Sequence, residues 1–396
     1  MKKVVFRRAI KFAAIAIGGM LAASSASAED VKGVTPDKLI LGHMSSMSGP
    51  LAQYGISLDA GTKAYIAKIN DAGGVHGKKV ELISEDHAYQ TAQALAIWRR
   101  MQGGDGVFGL LNVNGGHIVA AFLESAKQAK TIIWAPYGGD TAWYSPPQTG
   151  LFGLYSLYEP QAEALASWAA KDGHKKVVQI NIDAASFMRG KAAFEAAFKA
   201  AVPGASITSI DTKIATLDYA PVALQIADAK PDAVIIMLSE GGMIGLAKEL
   251  RKQGVKAPIY SWAGSQTQNL LDVGGEAFEG IKAISWTYPP DGDTPEAKEY
   301  RDTLKKYAPN EKPDYISFYA YGSTKIFFDA VSRIEGEITP ESFHKALYTM
   351  DGYKTGIFPP VTFSEKRHQG AFSVVPLIAK GGKWTPAGEP IVNEKY

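Results

Sequence analysis

The 396-residue chain contains no cysteine. No disulfide can form, and no lipid can be attached through a processed N-terminal cysteine. A chain of this composition in an oxidising compartment must be stabilised by its core alone. About 370 residues remain once an N-terminal leader is removed, which is enough for two domains of ordinary size.

A strong net charge is absent as well. The chain has 42 basic and 40 acidic residues, a formal net charge of +2. Five of the basic residues and none of the acidic ones lie in the leader, so 37 basic and 40 acidic residues remain, a net charge of −3. Neither nucleic acid nor an anionic membrane surface is therefore an expected partner.

Catalytic and metal-binding motifs are scarce. The sequence has no phosphate-binding loop that ends in Lys-Ser or Lys-Thr, no dinucleotide fingerprint after the first strand, and no serine in a nucleophile elbow. The seven histidines are scattered without metal-ligand spacing. The one tight cluster of acids with a histidine, Glu85-Asp86-His87, is interpreted as a strand end that faces solvent. We therefore expect no catalysis, no metal and no cofactor.

The first 28 residues have the pattern of a secretory signal peptide. A basic head without acids precedes an apolar run over residues 12–23, and Ala26-Ser27-Ala28 supplies small residues at the spacing that signal peptidase requires. The run is too short to span a bilayer as a helix. We predict cleavage after Ala28 and a periplasmic location. Twin-arginine export through Arg7-Arg8 and a retained membrane anchor are the alternatives.

Beyond the leader, apolar runs and amphipathic segments alternate. Strands are predicted at Lys38–Met44, Lys79–Ser84, Val107–Leu111, Thr131–Ala135, Lys176–Ile182, Ala233–Leu238 and Ala257–Trp262, with a strand pair around Gly381-Gly382. Helices are predicted at Ala52–Asp71, Thr91–Met101, His117–Gln128, Phe187–Ala201, Ile244–Gln253, Pro295–Tyr307, Tyr315–Ile334 and Pro340–Met350. This alternation predicts an α/β fold with two successive doubly wound, Rossmann-like units.

Polar, aromatic and glycine residues follow the predicted strands. In open α/β sheets, ligands bind beyond the carboxyl ends of the strands, so these residues are the candidates for a binding site. They are Ser48, Tyr54, Asn112, Asn114, Tyr137, Gly138, Gly139 and Asp140 in the first unit, and Phe187, Ser239, Glu240, Trp262 and Ala263 in the second. Backbone amides near helix N-termini at these positions favour an anionic group. The expected pocket has aromatic walls and a few convergent polar groups.

Two segments carry a family resemblance. They are Met47–Gly55, with the sequence MSGPLAQYG, and Ile69–Leu82, with the sequence INDAGGVHGKKVEL. These segments resemble the N-terminal lobe of the branched-chain amino acid binding proteins of ABC transporters, and weaker similarity extends over nearly the whole chain after the leader. The resemblance implies a type I periplasmic-binding fold, in which two lobes close on a ligand by hinge rotation.

The resemblance also implies where the lobes begin and end. The chain would cross between them three times, near Leu154, Trp286 and Phe372. Lobe 1 would then comprise residues 29–154 and 287–371, and lobe 2 would comprise residues 155–286 and 372–396.

Roles for several site residues follow from the same resemblance. Tyr54 matches a pocket aromatic of lobe 1, and the loop Asn112–Gly115 matches one that holds the ligand carboxylate. Tyr137–Gly139 falls where the family binds that carboxylate partly through backbone groups. In lobe 2, Phe187 matches an aromatic lid and Ser239 matches another aromatic.

One position departs from the family pattern. Ala263 falls where the amino acid binders carry the glutamate that holds the ligand ammonium. A buried ammonium without a partner is costly. Either a neighbouring acid, Glu240 or Asp140, replaces that glutamate, or the ligand has no ammonium. We favour a carboxylate without an α-amino group, and an aromatic one, ahead of leucine-like amino acids.

These observations predict a non-enzymatic solute-binding protein. Its expected partners are a small-molecule ligand and the permease complex of an ABC importer in the inner membrane, without direct membrane insertion, and the protein is expected to be a monomer. A ligand-sensing module that reports to a receptor and a secreted hydrolase on a related fold are the alternatives.

Overall fold

The structure is a computed structural model. It describes residues 31–49, 51–214, 216–264 and 266–393. The predicted signal peptide and its cleavage site lie outside the described residues, so both stay predictions.

Strands and helices alternate through most of the described chain. The strands are β1 Lys38–Ser45, β2 Lys79–Asp86, β3 Gly109–Leu111, β4 Ile132–Trp134, β5 Leu151–Phe152, β6 Lys176–Ile182, β7 Ser206–Thr212, β8 Ala233–Met237, β9 Ile259–Ser261, β10 Lys282–Ser285, β11 Ser373–Lys380, β12 Lys383–Pro386 and β13 Ile391–Val392. The helices are α1 Ala52–Asp71, α2 Thr91–Met101, α3 Gly116–Gln128, α4 Tyr158–Lys171, α5 Ala185–Ala201, α6 Ala220–Ala229, α7 Glu240–Lys252, α8 Gln268–Gly274, α9 Pro295–Tyr307, α10 Tyr315–Val331 and α11 Pro340–Leu347. Among these helices, none is both long enough and apolar enough to cross a membrane.

The first sheet has the strand order β2-β1-β3-β4-β5. All of its pairs are parallel, with Leu41 opposite Gly109 and Leu111 opposite Trp134. Each connection between its parallel strands must cross over a face of the sheet, and α1, α2 and α3 supply three of these crossovers. The carboxyl ends of β1, β3 and β4 therefore lie at one edge.

The second sheet has the strand order β12-β11-β10-β9-β8-β6-β7, and β13 pairs with β11. Strands β6 to β10 are parallel to their neighbours, whereas β11 is antiparallel to β10, β12 and β13. The two sheets confirm the predicted α/β fold with two doubly wound units.

Two helices from late in the chain, α10 and α11, pack on the first sheet. Side chains of Asp314 and Thr339 form capping boxes that start α10 and α11, because each satisfies backbone amides that the first helical turn leaves unpaired. The ring of Trp134 on β4 lies 5.9 Å from the rings of both Phe327 and Phe343. The core of the first sheet is thus completed by residues about 190–210 positions further along the chain.

The three segments predicted to cross between the lobes lie side by side. The rings of Tyr155 and Trp286 have centroids 4.3 Å apart. Gln369 Nε2 donates to the carbonyl of Tyr155 at 2.8 Å, and Gly153 N donates to the carbonyl of His368 at 2.9 Å. We propose the lobe boundaries near Leu154, Trp286 and Phe372 on this basis.

Candidate ligand-binding site

A cavity lies beyond the carboxyl ends of strands from both sheets. Its volume is about 120 Å³, well above the roughly 10–15 Å³ that one water needs. We call it the inner cavity, and it is lined by Leu51, Tyr54, Tyr89, Asn114, Gly115, Gly116, Tyr137, Gly138, Tyr155, Tyr158, Ile182, Phe187, Ile214, Ser239, Trp262 and Gly264. The inner cavity is therefore where an open α/β sheet is expected to bind a ligand.

Seven of the sixteen described residues that line the inner cavity are aromatic. Phe187 stacks on Tyr158 with centroids 4.7 Å apart, and it meets Trp262 edge-on at 5.0 Å. On the side of the first sheet, the rings of Tyr54 and Tyr137 are 6.1 Å apart. Such rings offer flat apolar surface and a few polar edges to a ligand.

Charged side chains are missing from this wall. None of the described residues that line the inner cavity is Asp, Glu, Lys, Arg or His. A ligand charge in the cavity must therefore be met by backbone dipoles, by hydroxyl or amide groups, or by the ligand's own hydration.

The N-terminus of α3 supplies such a dipole. The helix has 13 residues, and its N-cap, Gly115, makes no side-chain cap bond. Among the described residues, the backbone amides of Gly116 and His117 have no hydrogen-bond acceptor. Gly116 lines the cavity. First-turn amides of a helix carry partial positive charge, so this end of the cavity favours an anion.

Neighbouring backbone groups are already occupied. Tyr137 N donates to the carbonyl of Val113 at 2.8 Å, and Gly138 N donates to the carbonyl of Pro136 at 3.0 Å. The phenol oxygen of Tyr137 is also buried, without a partner among the described residues. The Gly116 amide of α3 therefore remains a donor in the cavity wall that no described acceptor uses.

Asn114 contributes to the lining through a side chain that is held by a loop. Its Oδ1 accepts from Ser46 N at 2.9 Å, and its Nδ2 donates to Ser46 Oγ at 2.8 Å. These bonds tie the loop before α1 to the end of β3. They fix the position of Tyr54, which lies in the first turn of α1.

Tyr54 reaches across to the second sheet. Its phenol donates to the carbonyl of Gly264, in the loop after β9, at 3.2 Å. Burial raises the pKa of Tyr54, and the nearby charge of Glu240 adds to that rise. The phenol is therefore protonated, and a donor, at any ordinary pH.

Four predicted residues of the first unit lie outside the inner cavity, and two of them, Asn112 and Ser48, bond elsewhere in the protein. Asn112 is fully buried, where its Nδ2 donates to Thr62 Oγ1 at 2.8 Å and its Oδ1 accepts from Ser323 Oγ at 2.6 Å. Ser48 is exposed on the loop before α1, where its side chain bonds to Asp86. Both side chains are engaged within the protein.

Two predicted residues of the second unit also lie outside it. The amide of Ala263 donates to Gln161 Oε1 at 2.9 Å. Glu240 is the first residue of α7, and its Oε1 accepts from Asn269 Nδ2 at 2.5 Å. Neither side chain lines the inner cavity.

A second, outer cavity of about 400 Å³ adjoins the first. It shares Tyr89, Gly116, Gly138, Tyr158, Ile182, Phe187 and Ile214 with the inner cavity and adds charged groups, among them Asp140 and Lys213. The predicted residues Gly139 and Asp140 lie here. Asp140 Oδ1 accepts from Arg189 at 2.5 Å and from Ala142 N at 3.0 Å, so its charge is already partnered.

Similarity to known proteins decides the family. A family described as "Periplasmic binding protein" matches residues 39–380. The chain belongs to this family. Periplasmic binding proteins of this kind are exported, bind small-molecule solutes without catalysis and act with ABC permeases. The family membership confirms the predicted non-enzymatic binding protein and its type I fold.

Three proteins are similar to this chain in sequence or in fold. The chain is 26% identical over 373 residues to the leucine-, isoleucine-, valine-, threonine-, and alanine-binding protein of Pseudomonas aeruginosa, covering 88% of this chain and 89% of that one. A fatty acid ABC transporter substrate-binding protein from Thermomonospora curvata has a TM-score of 0.83 at 19% identity, covering 92% and 95%. An R. palustris solute-binding protein in complex with 4-hydroxybenzoate has a TM-score of 0.78 at 21% identity, covering 90% and 98%.

Several lining residues of this periplasmic binding protein were not among the predicted ones. Tyr89 follows the end of β2, which was a predicted strand. It could therefore have been found among the residues that follow strand ends. Tyr158 begins α4 and Ile214 follows β7, and neither of these elements was predicted. Because α4 and β7 were not predicted, nothing in the sequence pattern pointed to Tyr158 or Ile214 as site residues.

One further interpretation was wrong. His87, taken as part of a solvent-facing strand end, is fully buried. Its Nδ1 accepts from Tyr89 N at 3.0 Å, which turns the chain toward the inner cavity. Burial lowers the pKa of His87 to about 4, so the ring is neutral at neutral pH.

Proposed function

We propose that this protein is the extracytoplasmic solute-binding protein of an ABC importer and that its ligand is a small organic acid without an ammonium group, of the aromatic class. The observation that carries the proposal is the composition of the inner cavity. Its walls are aromatic, none of its described lining side chains is charged, and the unpaired amides of α3 open onto it.

The carboxylate is assigned to the first turn of α3. The amide of Gly116 lies in the cavity wall without an acceptor among the described residues. A hydrogen bond to a charged group contributes about 1.5–3 kcal/mol, and the helix dipole adds to it. The ligand's ring would then lie against Phe187, Tyr158 and Trp262, whose own stacking forms a flat apolar surface.

An ammonium group finds no charged side chain among the described residues that line the inner cavity. Ala263 has a methyl group at the position where the family resemblance implies a glutamate. Asp140 is neutralised by Arg189, and the carboxylate of Glu240 does not line the cavity. Moving an ammonium from water into this site without a counter-ion costs several kcal/mol, so amino acids are disfavoured.

A leucine-like amino acid is the second candidate. It is favoured by the relative in Pseudomonas aeruginosa, whose name states that it binds leucine, isoleucine and valine. The aromatic acid is favoured by the cavity, and the R. palustris protein of similar fold is described with 4-hydroxybenzoate.

A thermal-shift screen separates these candidates. Ligand-free protein is melted with benzoate, 4-hydroxybenzoate, cinnamate, leucine, isoleucine and valine in turn. A ligand at 100 times its Kd adds about 2.7 kcal/mol to the free energy of unfolding, a clear increase in Tm. We expect the aromatic acids to raise the Tm. A rise with leucine, isoleucine or valine and none with the acids would refute the proposed ligand class.

A further inference from the structure

The hydroxyl of Tyr54 occupies a polar corner at the rim of the inner cavity. It donates to the carbonyl of Gly264 at 3.2 Å. Glu240 lies close enough for its charge to add to the rise in the pKa of this phenol. The phenol therefore bridges the first turn of α1 to the loop after β9.

This corner has a hydrogen-bond acceptor that no described donor reaches. Glu240 is only 8% exposed. Its Oε1 accepts from Asn269, but its Oε2 has no partner among the described residues. A buried carboxylate oxygen and a carbonyl together favour a cation, because each is an acceptor that burial has removed from water.

We infer that Tyr54 is a specificity-determining residue, whose hydroxyl takes the place of a ligand ammonium group at Gly264 and beside Glu240. The protein then supplies this donor from its own chain, and the corner is closed to the amino group of an amino acid. The inference rests on the proposed preference for acids and identifies the side chain that enforces it. Removing the phenol uncovers a latent site for a primary ammonium.

The physical basis is competition for the same acceptors. An amino acid would have to displace the Tyr54 hydroxyl from the Gly264 carbonyl, and it would leave that hydroxyl buried and unpaired. A ligand without an ammonium leaves the bond intact. The discrimination therefore depends on the phenol oxygen and on the Glu240 carboxylate, and not on the rest of the aromatic wall.

Two ligands that differ only at the α-carbon test this inference. 3-Phenylpropanoate and L-phenylalanine have the same ring and carboxylate, and only phenylalanine has the ammonium. Their Kd values are measured by titration calorimetry for wild type, Tyr54→Phe, Tyr54→Ala and Tyr54→Ala combined with Glu240→Gln. Tyr307→Phe is the matched control, since its phenol bonds to Asp71 on the exposed surface and does not line the cavity.

We expect the preference for 3-phenylpropanoate over phenylalanine to fall at least tenfold in Tyr54→Phe and further in Tyr54→Ala. Adding Glu240→Gln should restore most of the preference, and Tyr307→Phe should leave it unchanged. A preference that stays constant in both Tyr54 variants overturns the inference, and so does wild-type protein that binds phenylalanine as tightly as the acid.

The proposed ligand class can fail while the inference about Tyr54 holds. If wild type binds neither ligand, the proposed ligand class is in error, and the inference is then decided by the variants alone. Gain of phenylalanine binding in Tyr54→Ala supports it, and no gain overturns it. If the double variant does not fold, Tyr54→Ala alone gives the decision.

Discussion

The guanidinium of Arg189 lies 2.5 Å from the carboxylate of Asp140, although the two residues belong to different halves of the fold. Asp140 follows β4 of the first sheet, and Arg189 is on α5, which packs near β6 of the second. Arg189 also pairs with Glu159 at 3.0 Å. This ion pair and the bond from Tyr54 to Gly264 each connect the side of the first sheet to the side of the second sheet.

Removing the Arg189 charge should weaken ligand binding modestly. Both partners are partly exposed, and such pairs contribute about 0.2–1 kcal/mol. We therefore expect Arg189→Met to raise the Kd of any bound ligand roughly twofold to fivefold, and to reduce the dependence of Kd on salt. Titration at low and high ionic strength measures both. Lys38→Met is the control, because the Lys38–Glu81 pair lies within the first sheet. Equal effects of the two variants would argue against a closing role for Arg189.

Gly116 allows a single backbone donor to be removed. Proline is tolerated at the first position of a helix, where it removes only an amide that has no partner inside the helix. Gly116→Pro should raise the Kd of an acid ligand about tenfold to a hundredfold, since a hydrogen bond to a carboxylate is lost. Gly116→Ala keeps the amide, and its Cβ would meet the Trp143 ring at an ordinary 3.7 Å. Its Kd should stay close to that of wild type. Similar losses in both variants would contradict a carboxylate at α3.

Phe187 should discriminate between aromatic and aliphatic ligands. Its ring stacks on Tyr158 and meets Trp262, so it closes the inner cavity from the side of the second sheet. Phe187→Ala should raise the Kd of benzoate or cinnamate by tenfold or more, because a large apolar contact is lost. Leu217→Ala serves as the control, since Leu217 is 95% exposed and does not line the cavity. Unchanged binding in Phe187→Ala would place the ring of the ligand elsewhere.

Acid should destabilise the protein below about pH 6.5 through its buried histidines. Burial lowers the pKa of His87 and His344 to about 4 in the folded state, whereas an unfolded histidine titrates near 6.5. The unfolded state therefore takes up protons first as the pH falls, and the free energy of unfolding decreases between about pH 6.5 and pH 4. Above pH 6.5 these groups have no effect.

Thermal unfolding of ligand-free protein between pH 7.5 and pH 5 measures this dependence. His87→Gln should flatten the decrease in Tm. A Tm that is constant or rises as the pH falls from 6.5 to 5 would show that these histidines are not held neutral by burial.

Much of the fold could be predicted from local pattern. Helix α1 at Ala52–Asp71 and strand β6 at Lys176–Ile182 have the predicted bounds, since their apolar periodicity is clear and glycines or turns follow them. Strand β7, Ser206–Thr212, was missed because its residues are largely half-buried and polar. Helix α4 was missed as well, and its first residue, Tyr158, is part of the cavity wall.

The candidate site was predictable only in part, because strand ends locate residues but not their side-chain partners. Phe187 and Trp262 line the cavity as their positions suggested. Asn112, by contrast, bonds to Thr62 and Ser323, which lie 50 and 211 residues away in sequence. Such partners come from tertiary packing, so no local pattern indicates that the side chain is already engaged.

Titration calorimetry of ligand-free wild-type protein with benzoate, 4-hydroxybenzoate and leucine tests the central claim most directly. The account predicts saturable binding of an aromatic acid at one molecule per chain and no measurable heat of binding with leucine. Saturable binding of leucine at one molecule per chain, with no binding of either acid, would contradict it.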